Sequence, residues 1–367
     1  MSKSPRVIFG PEIWSLQIEG GISRYFQQLI RGLSESEIGG KVLTQNHANS
    51  RMSSTHIKGF EIQSLKDLKN PYKEISRLLG QETQGSIFHP TYYSQKLVDI
   101  QEPKTKMVLT VFDMISELYP EKKPRFRKVI DDKRISIQNS DLILSISEQT
   151  RNDLIHFYGI PKDRILVTYL GSNLHLLPTA NDAREIKSEY ILYVGKRDGY
   201  KNFSNFVTAY SHSKSLKENF LIVAIGGGEF TPSELFDFQK LGISNNVTHV
   251  DANDKQLAMY YRNAACLVYP SLYEGCGLPP VEAMSLNCVV IGSTGGSIPE
   301  ICKNAAQYFD PTSIDSIEHV VSTTLSDVQD LDYTEAITKM NKDQLALEAA
   351  QSSFAKISKL TLFSYIN

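Results

Sequence analysis

Short apolar, β-branched runs recur along this chain with longer stretches of helical period between them, and that alternation admits few folds. In the first half, runs at 6–9, 41–44, 86–89, 107–112, 142–146 and 165–168 read as strands. In the second half the strand runs are 190–194, 221–225, 247–250, 266–269 and 289–292. Strands separated by helix-length connections pair in parallel, because a parallel neighbour requires a long crossover. Parallel sheets are then covered by helices on both faces. The expected fold class is therefore α/β, and 367 residues are more than one core usually organises. The polar stretch GSNLHLLPTANDAR (171–184) has neither period and places a boundary near residue 180. The expected organisation is two doubly wound, Rossmann-like domains at 1–180 and 181–345. A C-terminal helix at 346–367 has the first domain as its candidate packing surface. Such sheets bind ligands at the carboxyl ends of their strands, so a cleft between the domains is the expected site.

Composition excludes several classes. A net charge of -2 supplies no global positive field, and nucleic acid is not an expected partner. The four cysteines, Cys266, Cys276, Cys288 and Cys302, contain no C-x-x-C pair, which argues against a structural zinc site or a disulfide framework and for free thiols. The opening MSKSPRVIFG lacks the apolar run of a signal peptide, and no run of about 18 apolar residues occurs elsewhere. A cytoplasmic protein is expected, with peripheral attachment at a membrane as its one route to a bilayer.

The segment YPSLYEGCGLPPVEAMSLNCVVI (269–291) concentrates the chemistry. A strand ends at Tyr269, a turn follows with Gly275 and Gly277, and Pro279 and Pro280 suit the first turn of a helix running through Met284. A glycine-rich turn feeding a helix N-terminus presents backbone N–H groups and a positive dipole end to an anion. Glu274 precedes the turn and Glu282 follows it by eight residues. Carboxylates beside a phosphate site repel the phosphate unless they bind hydroxyl groups, which points to sugar and ribose. A plain βα turn with a capping glutamate is the competing reading.

E-G-x-G-L-P-x-x-E-A-M with its E-x7-E spacing resembles the signature of retaining GT-B glycosyltransferases of family 4. Other segments agree in the family's order: GGISRYF (20–26), FHPTYY (88–93), VFDMISELYP (111–120), DLILSISEQTRNDL (141–154), YVGKRDGYKNF (193–203) and GGSIPE (295–300). The GGISRYF and YKNF variants look most like members that build bacterial surface polysaccharides. The resemblance implies a GT-B fold and transfer of a hexose or deoxyhexose, with retention of configuration, from a nucleoside diphosphate sugar to a glycan or glycolipid hydroxyl. A GDP-sugar such as GDP-mannose is the favoured donor, a lipid-linked saccharide is one form of acceptor, and no metal or other cofactor is expected.

The same resemblance assigns residues. Arg197 and Lys201 would grip the donor diphosphate and help it leave as an anion. Glu282 would bind ribose hydroxyls, and Glu274 sugar hydroxyls, beside the backbone amides of Cys276, Gly277 and Leu278. Gly20 and Gly21 would let backbone approach the diphosphate from the other domain. Asp113, at a strand end, would face the sugar and the incoming hydroxyl. The family commonly places histidine before that aspartate, whereas Phe112 stands here. The arginine that often directly follows the glycine is Lys196 here, which makes Lys196 the alternative to Arg197. Fixed cations and helix-end amides aimed at the departing diphosphate supply the electrostatic part of catalysis.

Other features carry competing readings. EKKPRFRKVIDDKR (121–134) has seven basic and three acidic residues with Phe126, Val129 and Ile130 interleaved. It fits an anionic membrane surface or a lipid-diphosphate acceptor, against a solvated amphipathic helix. His89 reads equally as a ligand contact or a hydrogen-bonded loop histidine. Gly226–Gly228 reads as a simple turn near the donor base, Cys276 as a packing residue, and Asp251 or Asp254 as a helix cap. Two rival functions are a nucleotide-sugar epimerase of the same architecture and a catalytically silent nucleotide-sugar-binding partner. A dehydrogenase is disfavoured, because neither half carries a dinucleotide fingerprint.

Overall fold

A computed structural model of the chain describes residues 6–330, apart from 17–19, 46–56, 67, 69, 83–84, 101–104, 122, 173, 175–185 and 198. The boundary expected near residue 180 and the C-terminal helix at 346–367 lie outside the described residues. The chain divides into two compact units. One takes the chain to Ile146 together with Thr150–Thr168, and the other takes Ser147–Gln149 and the chain from Tyr169.

The strands of the first unit are β1 (Val7–Phe9), β2 (Gly40–Thr44), β3 (Phe60–Ser64), β4 (Ile87–His89), β5 (Lys106–Val111), β6 (Leu142–Ser145) and β7 (Ile165–Val167). They form one parallel sheet in the order β3-β2-β1-β4-β5-β6-β7. Its helices are α1 (Glu12–Leu16), α2 (Gly21–Glu35), α3 (Pro71–Leu79), α4 (Ile115–Leu118), α5 (Arg125–Asn139) and α6 (Glu148–Tyr158). The second unit carries β8 (Tyr190–Val194), β9 (Leu221–Ile225), β10 (Val247–Val250), β11 (Cys266–Tyr269), β12 (Val290–Ser293) and β13 (Ala306–Phe309). These are also parallel, in the order β10-β9-β8-β11-β12-β13. Its helices are α7 (Phe203–His212), α8 (Lys214–Asn219), α9 (Pro232–Leu241), α10 (Asp254–Asn263), α11 (Leu278–Ser285), α12 (Ile298–Cys302) and α13 (Ile314–Asp330).

Both sheets are doubly wound, as the alternation predicts. The central strands β1, β4, β6 and β11 are buried at every position, which continuous apolar runs require when helices cover both faces. Side chains of β8, β9, β11, α7 and α13 make the second core, with Tyr193, Phe203, Phe206 and Tyr210 among its largest members. Two strands escape the periodicity reading, β3 and β13, and both are edges. FEIQS and AQYF bury only one residue each, so neither shows a continuous apolar run. Helix starts follow local chemistry. Thr231 and Glu234 form a reciprocal capping box on α9, and Asn253 and Gln256 do the same on α10. The cap expected of Asp251 or Asp254 is therefore supplied by Asn253.

Strand order reverses between β1 and β4 in the first sheet and between β8 and β11 in the second. Loops leaving the carboxyl ends of such a pair diverge to opposite faces and open a crevice, which makes these two places the natural ligand positions of the fold.

Candidate active site

At the reversal point of the second sheet, the loop after β8 meets the loop after β11. Leu272 N donates to Tyr200 O at 2.7 Å, and Lys201 Nζ donates to Glu274 Oε1 at 2.7 Å and to Tyr269 Oη at 3.3 Å. The carboxylate is buried and the ammonium is largely so, with side-chain exposures of 8% and 17%. Lys201 also lies over the Tyr200 and Tyr269 rings at 5.2 and 5.5 Å. Burial, then the Glu274 carboxylate, push the Tyr269 phenol well above its ordinary pKa, so Tyr269 remains a proton donor. The structure thus brings together Lys201 and Glu274, which lie far apart in sequence, and adds Tyr269.

The Glu274 loop is shaped from behind by Gly295–Ser297. Ser297 N and Oγ both donate to Glu274 O at 3.1 Å. Gly296 has φ of 58°, and a Cβ there would stand 2.6 Å from Glu274 N and O; one on Gly295 would stand 2.4 Å from Leu272 O. The GGS part of GGSIPE is therefore a backbone-to-backbone fit. Gly277, at φ of 76°, caps α11, and its missing Cβ spares the Tyr269 ring. Pro279 and Pro280 have no N–H, so Leu278 carries the remaining amide of the first three helical positions, at the positive end of the helix. Cys276 is buried and its thiol is pushed up to about 12, chiefly by burial, so it is a neutral packing residue. Glu282 is buried on α11 and accepts from Tyr261 Oη at 2.9 Å.

Arg197 is directed elsewhere. Its Nε donates to Glu234 Oε1 at 2.7 Å, Nη1 to Gly226 O at 2.6 Å, and Nη2 to Gly228 O at 2.8 Å and Glu229 O at 3.0 Å. The guanidinium lies 4.7 Å above the Phe230 ring, with 4% of the side chain exposed. Burial pushes Glu234 up, but the bonds from Arg197 and Thr231 outweigh it and hold the carboxyl below its ordinary value. Hydrogen bonds to a charged group contribute about 1.5–3 kcal/mol each, so these partners hold Arg197 firmly. Lys196, the alternative cation, is exposed. Tyr269 and Glu234 escape the sequence reading. Tyr269 reads as a strand end, and Glu234 is legible as a capping-box residue but not as a partner of Arg197.

In the first unit, Asp113 follows β5 and its Oδ1 accepts from Ile115 N at 3.0 Å, just ahead of α4. Phe112, at the family's histidine position, is buried with its ring edge-on to Tyr25 and Phe26 at 5.3 and 6.2 Å. Gly20 is extended at φ of 175°, and a Cβ on Gly21 would meet nothing within 4 Å, so packing within the unit does not demand glycine at 21. His89 is a core residue. It is buried, stacked on Phe9 at 5.5 Å and bonded to Thr110 Oγ1 at 2.9 Å, and burial lowers its pKa to about 3. Of the basic segment, Arg125, Arg127, Lys128 and Arg134 are exposed on α5 above half-buried Phe126, Val129 and Ile130. Lys133 is not part of that face: its Nζ is buried against Asp113 O at 2.9 Å and Glu117 Oε2 at 2.8 Å.

Comparison with known proteins fits this geometry. Residues 180–342 match the family model "Glycosyl transferases group 1", which contains both the Lys201–Glu274 pair and α11. Over these residues, somewhat less than half of the chain, the sequence is similar to group 1 glycosyltransferases. Relatives of the chain include O-antigen chain mannosyltransferase B of Escherichia coli, 28% identical over 235 residues, covering 60% of this chain and 62% of that one. The serotype-specific mannosyltransferase WbdA of Escherichia coli is 25% identical over 276 residues, which are 70% of this chain and 33% of WbdA. The matched stretches thus span under two thirds of either relative. Among solved structures, a glycosyltransferase from Rickettsia africae superposes with a TM-score of 0.73 at 15% identity, covering 99% of each chain. A sucrose-phosphate synthase from Thermosynechococcus elongatus gives 0.70 at 18%, covering 95% of this chain and all of that one. The two parallel sheets with their helices make a GT-B fold.

Proposed function

We propose that the protein is a retaining glycosyltransferase of surface polysaccharide synthesis. In this reading it moves a hexose from a nucleoside diphosphate sugar, a GDP-sugar first among candidates, to a hydroxyl of a glycan or lipid-linked saccharide. The observation that carries the reading is the buried Lys201–Glu274–Tyr269 cluster beside the N-terminus of α11, at the reversal point of the second sheet and within the residues similar to group 1 glycosyltransferases. Lys201 and the amides at 276–278 neutralise the diphosphate as the anomeric C–O bond breaks, with no metal required. Glu274 orients sugar hydroxyls and Glu282 the ribose hydroxyls. In the first unit, Asp113 serves the sugar and incoming hydroxyl, and the Gly20–Gly21 backbone serves the diphosphate. The exposed basic face of α5 holds the enzyme at an anionic membrane, where lipid-linked acceptors reside.

The decisive experiment combines binding with product analysis. GDP or another nucleoside diphosphate should raise Tm by degrees when present at about 100 times its Kd, unchanged by EDTA. Lys201→Ala should lower kcat by about a hundredfold or more, as loss of one transition-state donor does. Near-wild-type kcat in that variant would sink the assignment. A donor converted to its stereoisomer without acceptor would indicate an epimerase instead.

A further inference from the structure

Three consecutive glycines, Gly226, Gly227 and Gly228, leave β9 with φ of 91°, 81° and 74°. Glycine adopts such positive φ without the steric cost other residues meet, and equally adopts other conformations, so the shape of the turn depends on what packs against it. Arg197 fills the hollow. Its guanidinium takes the carbonyls of Gly226, Gly228 and Glu229, while Glu234, anchored by its capping box with Thr231, fixes the remaining donor edge. Phe230 closes one face of the guanidinium, and the fit is tight: a Cβ on Gly227 would stand 3.0 Å from Arg197 Nη1. The turn also leans on the loop after β8, since a Cβ on Gly226 would lie 3.3 Å from Gly195 O. It therefore borders the ligand edge of the sheet one strand away from the Lys201–Glu274 cluster, on the β9 side of the reversal point.

We propose that Arg197 is a positioning residue that templates the Gly226–Glu229 turn for the nucleoside part of the donor, and that the diphosphate is gripped without it. The inference deepens the donor reading above and rests on it. Four of the five N–H donors of the guanidinium are bonded to protein acceptors, so a two-point grip on a phosphate would break bonds that hold the turn. A preorganised turn instead lowers the ordering cost of binding whatever packs against it.

The test separates the two halves of the ligand. Binding of GDP and UDP, and competition by inorganic pyrophosphate, are measured for the wild type and for Arg197→Ala, Glu234→Gln and Lys201→Ala, with Tm recorded for each. The expected result is a nucleoside diphosphate Kd raised about tenfold in Arg197→Ala and in the same direction in Glu234→Gln, with pyrophosphate affinity within about twofold of wild type. Lys201→Ala should weaken both ligands. Glu234→Gln keeps the test open if Arg197→Ala fails to fold, because glutamine can keep the capping box with Thr231 while losing the charge that holds Arg197. Pyrophosphate lost in Arg197→Ala as severely as in Lys201→Ala overturns this inference and leaves the donor reading standing. A wild-type chain that binds neither nucleotide overturns both.

Discussion

His89 ends β4 with its ring stacked on Phe9 and one nitrogen on Thr110, and its burial has a measurable consequence. The folded pKa of about 3 lies below the ordinary 6.5, so between those values the unfolded chain binds a proton that the folded chain does not. Stability contributed by the neutral ring is intact above pH 6.5 and falls as the pH drops toward 3, by up to about 1.4 kcal/mol per unit. Urea midpoints at pH 7 and pH 5 should separate more for the wild type than for His89→Gln; equal separation would refute the account. Gly296→Ala is expected to cost about 2 kcal/mol or more, because a Cβ there collides with the Glu274 backbone. Donor affinity should fall with Tm in that variant, since the collision moves the segment that carries Glu274. Residue identity was legible in sequence wherever one motif held the whole chemistry, as in E-x7-E with its glycines. Lys201, Glu274 and Arg197 were legible singly, but not the pairing of Lys201 with Glu274 and Tyr269 or of Arg197 with Glu234, because those partners come from segments distant in sequence.

Elements tell the same story through burial. Strands covered on both faces announce themselves as apolar runs, whereas FEIQS and AQYF, on the sheet edges, mix polar and apolar residues and read as loops. Helix α5 is legible as basic and amphipathic, but its charges divide once it packs. Lys133 turns inward onto Glu117, Asp113 O and the Tyr93 ring at 5.2 Å, and Tyr158 Oη donates to the other oxygen of Glu117. Breaking a buried pair leaves an uncompensated charge, so Lys133→Met is expected to cost about 3–5 kcal/mol. Lys133→Met with Glu117→Met should recover much of that in chemical denaturation. Additive losses would mean that the two groups do not depend on each other. On the outer side, reversing the charge of Arg125, Arg127 and Lys128 should abolish salt-sensitive binding to anionic vesicles; reversing Arg125 and Arg127 alone should leave stability within about 0.5 kcal/mol, since Lys128 is the one paired with buried Asp132 at 3.0 Å. No binding by the wild type at low salt would remove the membrane role.

At the scale of the whole molecule, the two sheets share a strand order around their reversal points, and each reversal point holds a buried glutamate. If nucleotide binds where the second sheet reverses, hydrogen exchange should slow at 195–202, 226–229 and 272–282 when GDP is added. Protection confined to the amino-terminal ends of those strands would place the ligand elsewhere. In the first sheet, Gly10 N donates to His89 O at 2.9 Å, and Glu12 is enclosed by Tyr72 Oη at 3.0 Å, Thr91 N at 2.9 Å and Thr91 Oγ1 at 3.1 Å. Burial raises the pKa of Glu12, and every one of these donors is neutral, whereas Glu274 in the second sheet faces an ammonium. Topology has thus supplied the same address twice, and the tenant differs. One acid is enclosed by neutral donors of its own unit, while the other is paired with a cation. If ligand enters at the second of these acids, then the charge of one partner, more than the fold around it, is what tells a doorway from a keystone in this chain.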